Sequence, residues 1–390
     1  MSSVIAIERY DFWLTETIQF TNINMRLNTK NPILEFDGQQ DKLPDSLSAV
    51  IVVGDHLWLA SDEVTTVERL ASGDGITFNN HKSFALKDLI DLPAQDTDFD
   101  QEIDIEGMDQ HDSYLWLVGS HSIKRKKVEQ AGTTDKKMKR LAKTEVEGNR
   151  FILARIPLVV SGDGADLQLA RSVVDPNDPA RTLTAGQLEG DVKSNALVNA
   201  IRQAESGRGD PHFANFLGMP GKDNGFDIEG LAISGERIFL GLRGPVLRGW
   251  AGILEVSVAA ADSFRLNLQE IGPEGRQYKK HFLDLNGLGI RDLCVEGRDL
   301  LILAGPTMNL DGPVAVFRWR DALESSEERF VFSDSLERLF EVPNGVGFDH
   351  AEGMALVTDP KRVLIVYDSP GPERKMNNRT VKADVFELPS

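Results

Sequence analysis

The stretch Gly225-Phe226-Asp227-Ile228-Glu229-Gly230-Leu231-Ala232-Ile233, followed by Glu236-Arg237-Ile238-Phe239-Leu240-Gly241-Leu242-Arg243, decides the fold because it recurs. Ile103-Asp104-Ile105-Glu106-Gly107-Met108 with Leu115-Trp116-Leu117-Val118-Gly119-Ser120 repeats it, as does Asp349-His350-Ala351-Glu352-Gly353-Met354 with Val363-Leu364-Ile365-Val366-Tyr367-Asp368. Two weaker copies run Asp45 to Val50 with Leu57 to Asp62, and Gly289 to Leu293 with Leu301 to Gly305. Taking Ser48, Glu106, Glu229, Arg291 and Glu352 as equivalent, the intervals are 58, 123, 62 and 61 residues. A period of about 60 exceeds the roughly 40–50 of common blade repeats, and long outer loops account for the excess.

Working outward, each copy gains a third strand and a lead-in strand. The third strands are Thr66–Leu70, Phe151–Ile156, Gly252–Val256, Val314–Trp319 and Ala383–Leu388. The lead-ins are Ile33–Gly38, Leu86–Pro93, Phe213–Pro220, His281–Gly287 and Arg338–Pro343, each closed by the strand-ending residues Gly or Pro. Four short antiparallel strands repeated about an axis predict a single all-β domain, a β-propeller of five blades over residues 33–390, behind an N-terminal extension, 1–32. A sixth blade fits if residues 160–205 hide a decayed copy. Ile18–Asn22 is a further candidate strand, and the lead-in from Ile33 is expected to complete the C-terminal blade and close the ring, removing free sheet edges.

Two insertions lengthen the odd interval. Residues 123–150 carry ten Lys and Arg against four acids, a net of +6 that leaves −24 on the rest of a chain of net −18. This reads as a mobile, partly helical basic loop. The second insertion, 182–210, holds apolar positions 192, 197, 198 and 201, the spacing of one amphipathic helix over 190–206.

The acidic balance argues against general nucleic-acid binding, which favours a basic face. The single Cys294, in an apolar run, excludes an internal disulfide framework and reads as an inert thiol. No basic leader and no run of about 18 apolar residues stands out, so a cytoplasmic protein without a membrane partner is expected.

If first strands line the axis, the recurrent Asp-x-Glu-Gly brings Asp104, Asp227 and His350, with Glu106, Glu229 and Glu352, to one channel mouth. Converging carboxylates repel unless compensated, and Arg291 in the fourth copy is one candidate. A hard cation, Ca²⁺ or Mg²⁺, held by Glu106, Glu229 and Glu352, is the other. The architectural alternative is that each Glu accepts hydrogen bonds from the neighbouring blade. Aligning the second strands puts Asp62, Ser120, Arg243, Pro306 and Asp368 at a second level. There Ser120, His121, Ser122, Lys124 and Arg125, with Arg243, Gly244 and Arg248, are groups suited to phosphate or carboxylate oxygens; an ordinary basic loop is the alternative. The ligand-binding set expected is therefore Ser120, His121, Lys124, Asp227, Arg243, Arg291, His350 and Asp368.

Asp227-Ile228-Glu229-Gly230-Leu231, Gly241 to Gly249 and Gly119-Ser120-His121-Ser122 together resemble a bacterial family of propeller-like proteins, domain of unknown function 3616, over roughly residues 30–388. The Glu-Gly repeats resemble, more distantly, the esterase-like phytases, which implies calcium-dependent phosphate-ester hydrolysis, although that family's calcium ligands have no residue-by-residue match here. Gly-x-Ser-x-Gly, His-Glu-x-x-His, P-loop and dinucleotide motifs are absent. The series Asp96, Asp98, Asp100, Glu102, Asp104, Glu106 lacks the Gly and Glu of an EF-hand, with Gln101 and Gly107 at those places, and reads as a solvated acidic lead-in or a weak cation site.

Two functions follow. One is a divalent-metal-dependent phosphoesterase-like hydrolase acting on a small anionic or metal-bridged ligand, with metal-activated water as nucleophile and His121 as proton acceptor. The other is a non-catalytic scaffold that engages a protein partner through the propeller face or the basic loop.

Overall fold

The computed structural model describes residues 25, 27–38, 42–94, 102–161, 166–262, 264–358 and 360–389. The candidate strand Ile18–Asn22 and the acids Asp96, Asp98 and Asp100 lie outside them. Strands dominate the described residues, with two α-helices, Thr134–Ala142 and Ala196–Gly207.

The second strands explain the architecture. His56–Ser61 and Tyr114–Gly119 are buried at every position, so they do not alternate between a wet and a dry face. A continuous apolar run of this kind needs a neighbour on both faces. Here each sheet is packed between two others, and Leu153, Ile228, Leu231 and Leu240, for example, meet in one core between the second and third sheets. Each such fully buried side chain contributes about 1.5–3 kcal/mol.

Four sheets run from inner to outer strand in chain order. The first is Leu47–Val53, His56–Ser61, Thr66–Ala71 and Lys82–Ala85; the second is Ile105–His111, Tyr114–Gly119, Leu153–Val160 and Gly186–Leu188. The third is Asp227–Ser234, Arg237–Gly244, Trp250–Val256 and Lys279–Asp284; the fourth is Gly289–Glu296, Asp299–Gly305, Val314–Trp319 and Leu336–Val342. A fifth sheet has His350–Thr358, Lys361–Asp368 and Asp384–Glu387. The inner strands pack side by side in that order, and His350–Thr358 packs against Leu47–Val53. Radial sheets packed face to face about an axis make the fold a β-propeller. The sheets remain separate: no single sheet closes on itself among the described residues.

Several expected elements are corrected. Phe213–Pro220 is not a strand; it contains a 3₁₀ turn, Ala214–Phe216, and the buried Phe213 fills the core. The outer strand of the second sheet is instead Gly186–Leu188. Residues 160–205 also supply Leu167–Leu169, the hairpin of Ser172–Asp175 with Asp178–Thr184, and the start of the second helix. In the first sheet the outer strand is Lys82–Ala85, and Leu86–Asp88 turns as a 3₁₀ segment. The second helix begins at Ala196, capped by the Asn195 side chain, which accepts from Val198 N. Leu197, Val198 and Ile201 are its buried face, whereas Val192 precedes it and is exposed.

Three connectors between third and fourth strands pair parallel with a strand outside their own sheet, two of them with the outer strand of the sheet before. Thr77–Phe78 pairs parallel with Ile33–Glu35, Arg265–Leu268 with Gly186–Leu188, and Arg329–Val331 with Lys279–Asp284. The N-terminal segment also lies along the fifth sheet. Ile33–Glu35 pairs antiparallel with Thr380–Lys382, and Ala383 N and Val385 N donate to Pro32 O (3.0 Å) and Lys30 O (2.8 Å).

Candidate functional site

The five residues aligned in the repeats share a backbone irregularity. Pairing with the second strand shifts register between Leu47 and Ala49, Ile105 and Gly107, Ile228 and Gly230, Ile290 and Asp292, and Ala351 and Gly353. Ser48, Glu106, Glu229, Arg291 and Glu352 are therefore the extra residues of β-bulges, which re-aim side chains and occur often beside functional sites. The glycine that follows has its own cause. A Cβ on Gly107 would stand 2.9 Å from the Leu231 backbone N, one on Gly230 3.1 Å from Leu293 N, and one on Gly353 3.0 Å from Ala49 Cα. Inner strands of adjacent sheets touch there, so the Glu-Gly step combines an aimed carboxylate with a close approach.

Charges pair around the ring in order. Arg291 donates from Nη1 to Glu229 Oε2 (3.2 Å) and to Glu352 Oε1 (2.8 Å), its two neighbours in the repeat order, and from Nη2 to Pro306 O (3.2 Å). Arg243 meets the other oxygen of Glu229 at 2.6 Å and donates to Thr307 O at 2.9 Å. Ser48 donates to Ile105 O of the next sheet. Glu106, between Ser48 and Glu229 in that order, has no ion pair among the described residues, and burial followed by Asp104 and Glu229 raises its pKa well above the usual carboxylate value.

Above the ring lies a cavity of about 730 Å³, lined by Asp62, Asp104, Glu106, Asp227, Asp368 and Lys222 among others. Arg150 neutralises Asp104 at 2.7 Å. Asp227 is 4% exposed and makes no side-chain hydrogen bond or ion pair among the described residues. Burial and then Glu229 push its pKa up to about 7, although Arg243 opposes them. Asp62 has a buried Oδ1 without a hydrogen-bond partner, and burial, Asp104 and Glu352 push its pKa to about 8. His350 stands between Asp368 (3.8 Å) and Asp311 (3.6 Å), and Asp368 raises its pKa. Lys222 makes no ion pair among the described residues; burial pulls its pKa down, but Glu352, Glu106 and Asp62 together hold it above the usual lysine value.

The basic insertion forms one side of the rim. Lys124–Arg125 pairs with Thr144–Glu145 beneath the helix Thr134–Ala142, and Lys126, Lys127 and Val128 line the cavity. Its cations are largely matched: Lys124 to Glu102 (2.8 Å), Arg125 to Asp223 (2.7 Å) and Lys126 to Glu145 (2.8 Å).

Of the residues expected at the site, Glu106, Lys124, Asp227, Arg243, His350 and Asp368 line the cavity. Glu229, Arg291 and Glu352 form the ion-paired ring beneath it. Ser120 and His121 are not brought there. Ser120 Oγ is fully buried and accepts from Arg150 Nη1 (3.4 Å) and Ser122 Oγ (3.0 Å). His121 donates from Nδ1 to Gly119 O (2.7 Å) and contacts Asn195 Nδ2 (2.6 Å) through Nε2, and burial pushes its pKa down to about 4, so it holds the second helix rather than facing a ligand. The Glu ring does not staple neighbouring backbones either. Asp109 and Asp292 do, accepting from Ile233 N (2.6 Å) and Met354 N (2.7 Å). Lys222 was not legible, because Pro220-Gly221-Lys222 has no counterpart in the other repeats; Asp62 was, through its alignment with Asp368.

For Ca²⁺ or Mg²⁺, the donor set is the test. Two of the three carboxylates expected as ligands, Glu229 and Glu352, already bind guanidinium, and no group of three or more Asp, Glu, His or Cys among the described residues is placed to hold a metal ion.

The class these features define is a β-propeller with a charged axial mouth. The chain belongs to the family described as protein of unknown function DUF3616, whose model matches residues 46–384. No curated protein matches it. Among solved structures, a glutaminyl cyclase of Myxococcus xanthus is similar at 10% identity and a TM-score of 0.38, covering 94% of this chain and 99% of that one. The Cps50 (Swd1) β-propeller domain of Myceliophteria thermophila is similar at 9% identity and 0.34, covering 91% and 100%. A putative 6-phosphogluconolactonase of Bacteroides fragilis is similar at 12% and 0.28, covering 82% and 76%. Likenesses at these scores say nothing about activity.

Proposed function

We propose that this protein is a five-bladed β-propeller that binds a small charged ligand at its axial mouth. Support for the ring comes from the N-terminal strand Ile33–Glu35, which takes a parallel connector strand as Gly186–Leu188 and Lys279–Asp284 do in their sheets; it would be the outer strand of the fifth blade. The observation that carries the ligand is the cavity of about 730 Å³ in which Asp62, Glu106 and Asp227 make no ion pair among the described residues. Uncompensated carboxylates at a desolvated mouth are unfavourable until something positive reaches them.

An anionic ligand would meet Lys127 and Lys222 on the lining, and a positive group between it and Asp62, Glu106 and Asp227 would relieve their repulsion. A metal-dependent phosphoesterase would take that group from solution as Ca²⁺ or Mg²⁺, with further oxygen ligands from the substrate, because the chain alone gathers too few. Thermal shift of the full chain with Ca²⁺, Mg²⁺, EGTA and inorganic phosphate, then a phosphoester panel on wild type and Glu106→Gln, tests both levels. Stabilisation lost in the variant supports the mouth, and turnover lost with it supports the hydrolase. Equal stabilisation of both proteins removes the mouth as the site.

A second reading is favoured by Met138 (67% exposed) and Leu141 (53%), apolar side chains set among lysines on the rim helix. There the insertion would engage a protein partner without turnover. Excising 127–142 should abolish that capture and leave charged-ligand stabilisation in place; capture that survives excision counts against it.

A further inference from the structure

We infer that the inner end of the mouth is a subsite for an organic cation, a primary ammonium or guanidinium group of the ligand, held by Asp227, Glu106 and Asp62. The inference rests on the mouth being a ligand site and goes on to name the chemistry of the group that enters. Matching charges isolates the three residues. Asp104 has Arg150, Glu229 has Arg243 and Arg291, Glu352 has Arg291, and Asp368 stands beside His350. What remains among the described residues is Asp227, more than nine-tenths buried and without a hydrogen bond or ion pair, Asp62 with an orphaned buried oxygen, and Glu106 at its bulge.

A bare metal finds too few protein oxygens in this remainder. Ca²⁺ and Mg²⁺ require oxygens converged to about 2.0–2.6 Å around one point, and the described carboxylates are not gathered so closely. Ammonium and guanidinium groups span carboxylates that stand farther apart, through separate hydrogen bonds of about 2.7–2.9 Å. The chain solves the same problem this way on the other side of the ring, where one Arg291 nitrogen serves both Glu229 and Glu352. Lys222 is then the resident competitor: it lines the cavity and is held charged by Glu352, Glu106 and Asp62, yet forms no ion pair among the described residues. A ligand cation displaces its influence and offsets the burial and repulsion that keep protons on these acids, so binding between about pH 6 and 8 would release protons, and release would fade well above pH 8.

Isothermal titration of the full chain at fixed ionic strength, with 1,4-diaminobutane and agmatine as probes, tests this against CaCl₂, MgCl₂ and sodium phosphate. Diamine binding is expected to weaken at least tenfold in Asp227→Asn and in Glu106→Gln, and to tighten severalfold in Lys222→Met. Tetramethylammonium, which cannot donate hydrogen bonds, should bind at least tenfold more weakly than the diamine. Because Asp227→Asn removes a buried charge, the folded variant should melt no lower than wild type; if it does not fold, Glu106→Gln decides. Calcium or phosphate binding without diamine binding overturns the organic-cation subsite and leaves the mouth as a ligand site. Diamine affinity unchanged by both variants also overturns it. No binding by any probe to folded wild type overturns the mouth as well.

Discussion

Arg291 is the residue on which the inner ring depends. It neutralises two glutamates from adjacent sheets while itself buried, so its removal leaves two buried carboxylates with one fewer counter-charge. Breaking a buried ion pair by deleting one partner typically costs about 3–5 kcal/mol. Arg291→Met should therefore lower the unfolding free energy read from urea denaturation by that amount, and Arg291→Lys, which keeps the charge but loses the fork, by less. A loss under ~1 kcal/mol would mean the glutamates simply take up protons. Gly230 makes a different prediction. A methyl group there meets Leu293 and the Asp292 backbone, and overpacking of this kind costs about 1–3 kcal/mol, measurable in the same denaturation series. The sequence displayed these positions plainly, since repetition exposes whatever every sheet needs. It could not separate the two roles within Glu-Gly, because bulge geometry and inter-sheet contact leave the same pair of letters. Nor could it bury His121, whose partner Asn195 stands 74 residues away on another element.

The two helices illustrate opposite uses of an insertion. Ala196–Gly207 seats Ile201 fully in the core between sheets, so Ile201→Ala should cost about 2–5 kcal/mol. Thr134–Ala142 buries nothing, and replacing residues 127–142 by a short Gly-Ser turn should move the melting temperature by no more than about 2 °C. If that excision unfolds the protein, the rim packs more tightly than its exposure indicates. Amphipathic spacing found the buried face of the first of these helices but began it too early, because Val192 falls by chance on the same stripe. Outer strands were the least legible elements. They are short and carry few apolar residues, so Phe213–Pro220 resembled a lead-in while the real strand, Gly186–Leu188, was three residues long.

At the scale of the molecule, buried carboxylates impose a pH dependence. Asp62, Asp109, Asp227 and Glu352 have folded-state pKa values raised to about 7 or 8, mainly by burial. The unfolded chain binds protons at these sites only below about 4, so their favourable contribution is complete below pH 4 and is lost as pH rises to 8. Glu145 and Glu255 run the other way, lowered to about 2 by their basic partners, and lose their contribution as pH falls below about 4. Stability should therefore be greatest near pH 4–5 and decline from there toward pH 8.5, with a slope of up to ~1.4 kcal/mol per pH unit for each buried group titrating. Asp62→Asn should flatten the alkaline part of that decline in melting curves. A profile flat from pH 5 to 8.5 would place these carboxylates in water. The pairing of Ile33–Glu35 with Thr380–Lys382 has its own consequence: deleting residues 1–38 removes the buried Leu34 and Phe36 and uncovers Thr380–Lys382, and should yield a protein that melts at least 10 °C lower and aggregates.

The parallel connector strands bear on how the protein comes apart. Arg265–Leu268 and Arg329–Val331 each lie across a seam between one sheet and the next, and Thr77–Phe78 ties the first sheet to the N-terminal strand, as overlapping roof tiles do. A tile cannot be lifted without disturbing the one it covers, so a sheet joined in this way cannot peel off alone. Hydrogen exchange at the seams should then track global unfolding, and duplication of a single sheet would have to bring its overlap along with it.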